Sequence, residues 1–310
     1  MTKIGNSDLD VFGLNLGGNV FGFTADEQES FEVLDAYTAA GGNFIDTADS
    51  YSAFVPGHVG GESETIIGKW LARRGRRDDV VIATKVGNLG TRPGLSAKNI
   101  AAAVEDSLSR LQTDYIDLYY AHSDDADTAF EETLQAFDEL VRAGKVRYIA
   151  ASNYTAPRLA EALAVSDREG FARYVALQPH YNLVKRDYED ELAPLVAREG
   201  LSTLPYFGLA GGFLTGKYRS TDDASKSPRA AGALAYLDAR GERILAVLDE
   251  VAGAHNASVA SVSLAWLGAQ PTVAAPIASA RTVGQLPDLL AAVSLELTPA
   301  ELTALSDASA

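Results

Sequence analysis

The chain has 310 residues, 47% of them hydrophobic, with 26 Lys and Arg against 42 Asp and Glu, giving a formal net charge of −16. A field of that sign repels phosphate backbones and anionic lipid surfaces, which argues against nucleic-acid and membrane partners. No cysteine is present, so disulfides, thiolate metal sites, iron–sulfur clusters and cysteine nucleophiles are excluded.

The opening MTKIGNSDLD carries no apolar core of signal-peptide length, and no later stretch approaches the roughly 20 apolar residues of a membrane span, so the sequence reads as a soluble cytoplasmic protein. KIGNSDLDV, with a turn at Gly5-Asn6, predicts a small hairpin. Short apolar, β-branched runs then alternate with longer segments of helical spacing. The strands expected are Val11–Leu16, Asn43–Asp46, Val80–Lys85, Ile116–Tyr120, Val146–Ser152, Tyr174–Gln178, Leu201–Pro205 and Val273–Ile277. Between them, Ile100, Val104, Leu108 and Leu111 share one helical face behind the cap Ser96. Leu134, Phe137 and Val141 line a helix over Glu131–Arg142 that Gly144 stops. Eight strand–helix units with no linker between them predict an α/β fold of (β/α)8 barrel type, one domain over residues 1–310. A doubly wound sheet would carry a GxGxxG turn after its first strand, and Leu14-Asn15-Leu16-Gly17-Gly18 does not continue into one.

Barrel active sites sit at the C-terminal strand ends. Those ends hold Asp46, Lys85 and His122, with Tyr51 in the loop after Asp46. The four suit reduction of a carbonyl, which needs a proton delivered to its oxygen. A phenol has a pKa of about 10; a nearby ammonium favours the phenolate and makes it a better acid, and a carboxylate holds the ammonium in place. Tyr51, Lys85 and Asp46 fit those roles, and His122 can orient the carbonyl. The remaining histidines, His58, His180 and His255, read as solvated loop residues, and the four together have no metal-ligand spacing, so no metal site is expected.

The segments IDTADSY, ATKVG, IDLYYAHSDD, YIAASNY, ALQPHYNL and LAGGFLTGKY follow one another over nearly the whole chain. Together they resemble the aldo-keto reductase superfamily, on its bacterial and potassium-channel β-subunit-like side. The resemblance implies a metal-free barrel that reduces aldehydes or ketones, or oxidises the corresponding alcohol or sugar, with Asp46, Tyr51, Lys85 and His122 as its tetrad. It implies that Ser152, Asn153 and Gln178 hold the nicotinamide carboxamide, with Tyr206 on or near the nicotinamide face. The segment Leu209–Lys217, with Gly211 and Gly212, would wrap the pyrophosphate. Ser279 and Arg281 would meet a 2′-phosphate, and Gln285 and Asp288 would lie near the adenine. The cofactor expected is NADPH (NADP+), with NADH the alternative, and the partner is a small carbonyl or alcohol substrate; an oligomer stays open.

Three features depart from the family pattern. Phe207-Gly208 stands for Ser-Pro, which removes a hydroxyl near the pyrophosphate and loosens the turn. Leu289 stands where an asparagine commonly touches adenine. The loop after Tyr51 is long, so Phe54, Val55 and His58 are expected at the substrate entrance, and Phe54 and Val55 with Phe21 suggest a partly hydrophobic pocket. Arg219–Arg229 reads as an insertion that closes over the cofactor. A second reading stays open: a nicotinamide-binding, redox-sensing regulatory subunit, which can retain the same four residues.

Overall fold

The computed structural model describes residues 1–226 and 230–310. The expected hairpin is present: Thr2–Lys3 pairs antiparallel with Asp10–Val11. This displaces the first barrel strand from its expected span, because Val11 belongs to the hairpin. The Asn43 side chain accepts from Phe12 N–H at 2.8 Å and donates to Asp10 O at 2.9 Å, fixing the turn between hairpin and barrel.

Eight parallel strands follow: β1 Asn15–Gly17, β2 Phe44–Asp46, β3 Val81–Val86, β4 Ile116–Ala121, β5 Val146–Ser152, β6 Tyr174–Gln178, β7 Ser202–Thr203 and β8 Ile277–Ala278. They run in chain order around the sheet, with β8 paired to β1. A parallel bridge from Thr203 to Val273, with Ala274 N–H donating to Thr203 O at 3.0 Å, brings the chain entering β8 against β7 and closes the (β/α)8 barrel. β7 is shorter than expected, and β8 is both shorter and shifted, beginning at Ile277, where the expected strand ended. Pro205 and Pro276 have no N–H to give the ladder, so regular pairing stops beside them.

The helices after β1 to β6 are α1 Glu27–Ala39, α2 Glu62–Arg74, α3 Ala97–Leu111, α4 Phe130–Arg142, α5 Ala156–Glu169 and α6 Leu192–Arg198. The predicted caps hold: Ser96 accepts from Asn99 N–H at the start of α3, and Gly144 (φ 72) lies just past the end of α4.

Strand alternation divides the core in two. Outward residues such as Ile45, Ile82, Tyr119 and Leu177 pack against the helices. Inward residues, among them Phe44, Val81, Ala83, Leu118, Tyr120, Ala150 and Ala176, fill the barrel, and the buried hairpin residues Ile4, Leu9 and Val11 plug its lower end. Two residues further along each strand, the same inward series reaches Asp46, Lys85, His122, Ser152 and Gln178. The period of two therefore delivers a polar layer on top of an apolar one.

The helical shell is as tight. A Cβ on Gly68 of α2 would stand 2.0 Å from Arg110 O of α3. In an exposed helix Gly→Ala stabilises by about 1 kcal/mol. Here Gly68→Ala is expected to reverse that sign and cost about 1–3 kcal/mol by forcing two backbones apart, read from the midpoint of chemical denaturation.

Candidate active site

Lys85 ends the inward face of β3 with no exposed surface. Its Nζ donates to Asp46 Oδ2 at 2.6 Å, to Thr47 O at 2.7 Å and to Tyr51 OH at 2.7 Å. Tyr51 OH in turn donates to Asp46 Oδ2 at 3.0 Å, and Gln178 Nε2 donates to Asp46 Oδ1 at 2.9 Å. Both carboxylate oxygens and all three ammonium protons are thereby engaged, as a buried charge pair demands. The His122 ring stands edge-on to Tyr51, centroids 6.1 Å apart, with Nδ1 3.4 Å from Ser50 Oγ.

The surroundings set the charge states. Burial lowers the Lys85 pKa below the lysine value, opposed by Asp46. Burial first, then the Asp46 charge, hold the Tyr51 phenol well above its ordinary value, so Tyr51 is protonated throughout the physiological range. That corrects the expectation of a phenol already made acidic by its lysine: here the carboxylate and burial outweigh it. Burial, reinforced by the Lys85 charge, lowers His122 to about 3, so the imidazole is neutral.

Asp46, Tyr51 and His122 open onto a cleft of about 550 Å³, with Lys85 behind them. The cleft continues past Ser152, Asn153, Gln178 and Tyr206, along Leu209, Gly211, Gly212 and Lys217, and on to Ser279, Arg281, Gln285 and Asp288. Each of these residues, singled out in the sequence, lies on one continuous surface. The polar residues between also bond one another. Asn153 Nδ2 donates to His122 O at 2.9 Å and Ser152 Oγ at 3.2 Å, and its Oδ1 accepts from Tyr206 OH at 2.8 Å. Ser152 Oγ donates to Gln178 O at 2.9 Å. Asn153 (φ 56) adopts the left-handed conformation that asparagine tolerates better than most side chains. Beyond them Gly211 (φ 66) and Gly212 (φ 102) turn the chain through backbone angles that favour glycine.

Several expectations change. Gly208 does not loosen its turn: a Cβ there would approach Leu264 and Leu267 to 3.0 and 3.2 Å, and Asn182 Nδ2 holds Phe207 O at 2.9 Å. Phe21 lies in the core with no exposed surface; Phe23 lines the cleft instead, its ring edge-to-face with Phe54 at 4.9 Å. His180 is no solvated loop residue, since it stacks on Tyr206 at 5.2 Å, and His255 ends a helix with Nε2 2.9 Å from Glu301. Within Arg219–Arg229, residues 227–229 lie outside the described residues, and Arg219 is tied to Asp249. Sequence reasoning passed over Asn19, whose Oδ1 accepts from Ser279 Oγ at 2.7 Å on the cleft wall. Its position just after the Gly17-Gly18 turn was the available signal.

Residues 13–310 match the family described as "Aldo/keto reductase family". The chain belongs to the aldo/keto reductase family. Over 99% of its length it is 36% identical to "Uncharacterized oxidoreductase YrpG" of Bacillus subtilis, covering 94% of that protein. It is 32% identical to the norsolorinic acid reductase of Aspergillus flavus, over 91% of this chain and 72% of that one. It is also 32% identical to the aryl-alcohol dehydrogenase GME11368 of Pestalotiopsis microspora, over 94% and 76%. As a family member, the protein is an oxidoreductase with a small-molecule substrate.

The charge assignment at His122 has a direct check. In 15N spectra across the pH range from about 8 to about 5, where an ordinary histidine titrates, the His122 ring is expected to stay neutral.

Proposed function

We propose that this protein is an NADPH-dependent reductase of aldehydes or ketones, built as a single barrel domain, with Tyr51 as the proton donor. The observation that carries the reading is the hydrogen-bonded set of Lys85, Asp46 and Tyr51 at the floor of a continuous cleft of about 550 Å³.

The residues along that cleft fit such a cofactor. Gly211 and Gly212, both left-handed, leave backbone groups uncovered by any side chain of their own, and Lys217 adds a cation beside them. Arg281 stands at the far end, its backbone N–H held by Gln285 Oε1 at 2.8 Å, where a guanidinium suits a 2′-phosphate. At the near end Asn153, Gln178 and Ser152 offer amide and hydroxyl groups to a carboxamide. When bound there, a reduced nicotinamide supplies the hydride.

This chain's residues supply the rest. The substrate oxygen takes its place between Tyr51 OH and His122, whose neutral imidazole donates from Nε2 in the tautomer whose Nδ1 accepts from Ser50. As hydride reaches the carbonyl carbon, the C=O π pair moves onto oxygen. That oxygen takes the Tyr51 proton, and the resulting phenolate is met by the Lys85 ammonium 2.7 Å away. Asp46 keeps Lys85 charged while Gln178 steadies Asp46. Oxidation of an alcohol is the same sequence reversed.

The cleft lining includes Val20, Phe23 and Thr24 on a loop that Ser52, next to Tyr51, holds through the Phe21 carbonyl, with the exposed ring of Phe54 packed on Phe23, while Lys217 and Arg281 come from the segments after β7 and β8. This polarity favours uncharged, apolar carbonyl compounds. Aryl aldehydes fit it, in keeping with the name of the Pestalotiopsis relative.

Oxidation of NADPH should be followed against aryl aldehydes, ketones and sugars. Tyr51→Phe is expected to reduce turnover about 10²- to 10⁴-fold, the usual contribution of a positioned acid, with cofactor binding unchanged. Tight cofactor binding without turnover in either direction would instead indicate the redox-sensing subunit. Arg281→Ala is expected to weaken NADPH binding about 10- to 100-fold, the scale of a lost charge-assisted contact, and to leave NADH binding nearly unchanged, read by nicotinamide fluorescence.

A further inference from the structure

Nothing in the mechanism above uses the hydroxyl of Tyr206, yet that hydroxyl heads a chain of hydrogen bonds that ends on His122. Tyr206 OH donates to Asn153 Oδ1 at 2.8 Å. Asn153 Nδ2 donates to His122 O at 2.9 Å and to Ser152 Oγ at 3.2 Å. Ser152 Oγ donates in turn to Gln178 O at 2.9 Å. The chain therefore starts on the loop after β7, crosses the end of β5, and stops at backbone carbonyls just after β4 and at the end of β6.

The acceptors at its ends fix its direction. A backbone carbonyl can only accept, so the Asn153 amide must turn Nδ2 toward His122 O, and Oδ1 is left to accept from the phenol. Burial keeps the Tyr206 pKa above the ordinary phenol value, so the proton is there to donate. The hydroxyl is itself held from two sides. Its ring stacks on His180 with centroids 5.2 Å apart and meets Phe207 edge-to-face at 5.3 Å, and the Tyr206 backbone N–H donates to Pro179 O at 3.0 Å.

His122 receives the other end. Its backbone N–H donates to Val86 O of β3 at 2.9 Å, and its carbonyl accepts from Asn153. The peptide groups on both sides of the imidazole are thereby pinned, one from β3 and one from the end of β5. Asn153 makes its contact from a left-handed backbone (φ 56), a conformation that persists where surrounding contacts hold it.

We propose that the Tyr206 hydroxyl is a positioning group for His122: it locks the Asn153 amide in the orientation that grips the His122 carbonyl, and so holds the imidazole in place for the substrate oxygen. The inference rests on the reading of His122 as the group that orients the carbonyl. Without the hydroxyl, Asn153 Oδ1 is left to water, which brings no anchor in β6 or β7, and the amide gains freedom to turn. Tyr206→Phe removes that one oxygen and keeps the ring in its stack on His180.

The test follows Asn153 and His122 directly and needs no turnover. The full chain is labelled with 15N, the Asn153 side-chain NH2 pair is assigned with Asn153→Asp, and the His122 ring nitrogens with His122→Gln. In the free wild-type protein the Asn153 NH2 protons are expected to exchange with water more slowly than those of a free asparagine. Tyr206→Phe is expected to speed that exchange about 2- to 10-fold, the population change that follows from losing one hydrogen bond, and to move the His122 ring shifts. Under turnover, kcat is expected to fall about 3- to 10-fold, with a smaller change in the cofactor KM because the ring is retained.

Equal Asn153 exchange and equal His122 signals in the two proteins overturn the proposal. A loss confined to Tm, with the His122 signals in place, marks a packing role and overturns it too. So does a wild-type Asn153 amide that exchanges as fast as free asparagine, a result that needs no variant. If the Asn153 and His122 signals change as expected and no carbonyl is reduced, the reductase reading fails while the hold of Tyr206 on His122 stands.

Discussion

The structure turns on an ammonium ion with no exposed surface. Removing a lysine from water costs several kcal/mol, and the cost is tolerable only where the charge is paired and every proton finds an acceptor. Lys85 meets that condition through one carboxylate oxygen, one backbone carbonyl and one phenol. Each partner is then constrained by the lysine. Asp46 must end β2 facing inward, Thr47 must present its carbonyl, and the loop must return Tyr51 to within 2.7 Å. The second oxygen of Asp46 draws in Gln178 from β6, across the barrel. One buried charge thus ties its own strand to residues of two other strand–loop units.

The barrel supports this layer from below. Its interior combines large residues, Phe44 and Tyr120, with small ones, Ala83, Ala150, Ala176 and Ala275, and the hairpin closes the bottom with Ile4, Leu9 and Val11. A filled interior has little freedom to yield, so the polar layer rests on a rigid floor. Ser52 extends the same restraint to the loop. Its left-handed backbone (φ 68) turns the chain just after Tyr51, and its hydroxyl donates to Phe21 O at 3.1 Å, tying that loop to the one after β1. The phenol is therefore fixed by packing as well as by Lys85, as the proposed role of proton donor would require.

How much of this could be read in the sequence follows from the range of the interactions involved. Asp46, Lys85 and His122 were legible because each ends an apolar, β-branched run, and alternation alone places them on one face. The barrel was legible because eight such runs recur. The boundary of the first strand was not, since Val11 suits either the hairpin or the barrel, and the choice is made by the Asn43 side chain from another unit. The same holds for Phe23 over Phe21. Both follow β1, and only the folded loop decides which enters the core and which reaches the cleft. The charge states were out of reach for a related reason. Whether the ammonium or the carboxylate prevails at Tyr51 depends on burial, which local sequence does not specify.

The overall charge bears on how the cleft must work. A chain of net charge −16 repels an anionic dinucleotide at long range, yet the residues along the proposed phosphate end are Lys217, Arg281 and uncovered glycine backbone. Long-range repulsion decays over a Debye length of about 8 Å at physiological salt, whereas contacts formed inside a cleft are screened far less. Recognition of the proposed anion would therefore fall to short-range groups that the fold positions, and Asn19 with Ser279 shows how little slack is left along that wall. Their side chains meet at 2.7 Å from opposite ends of the chain, and a Cβ on Gly17 would lie 2.6 Å from Ser279 Oγ. The seam between β1 and β8 is thus both a join of the barrel and a wall of the cleft, so packing that seam and shaping the site are one problem.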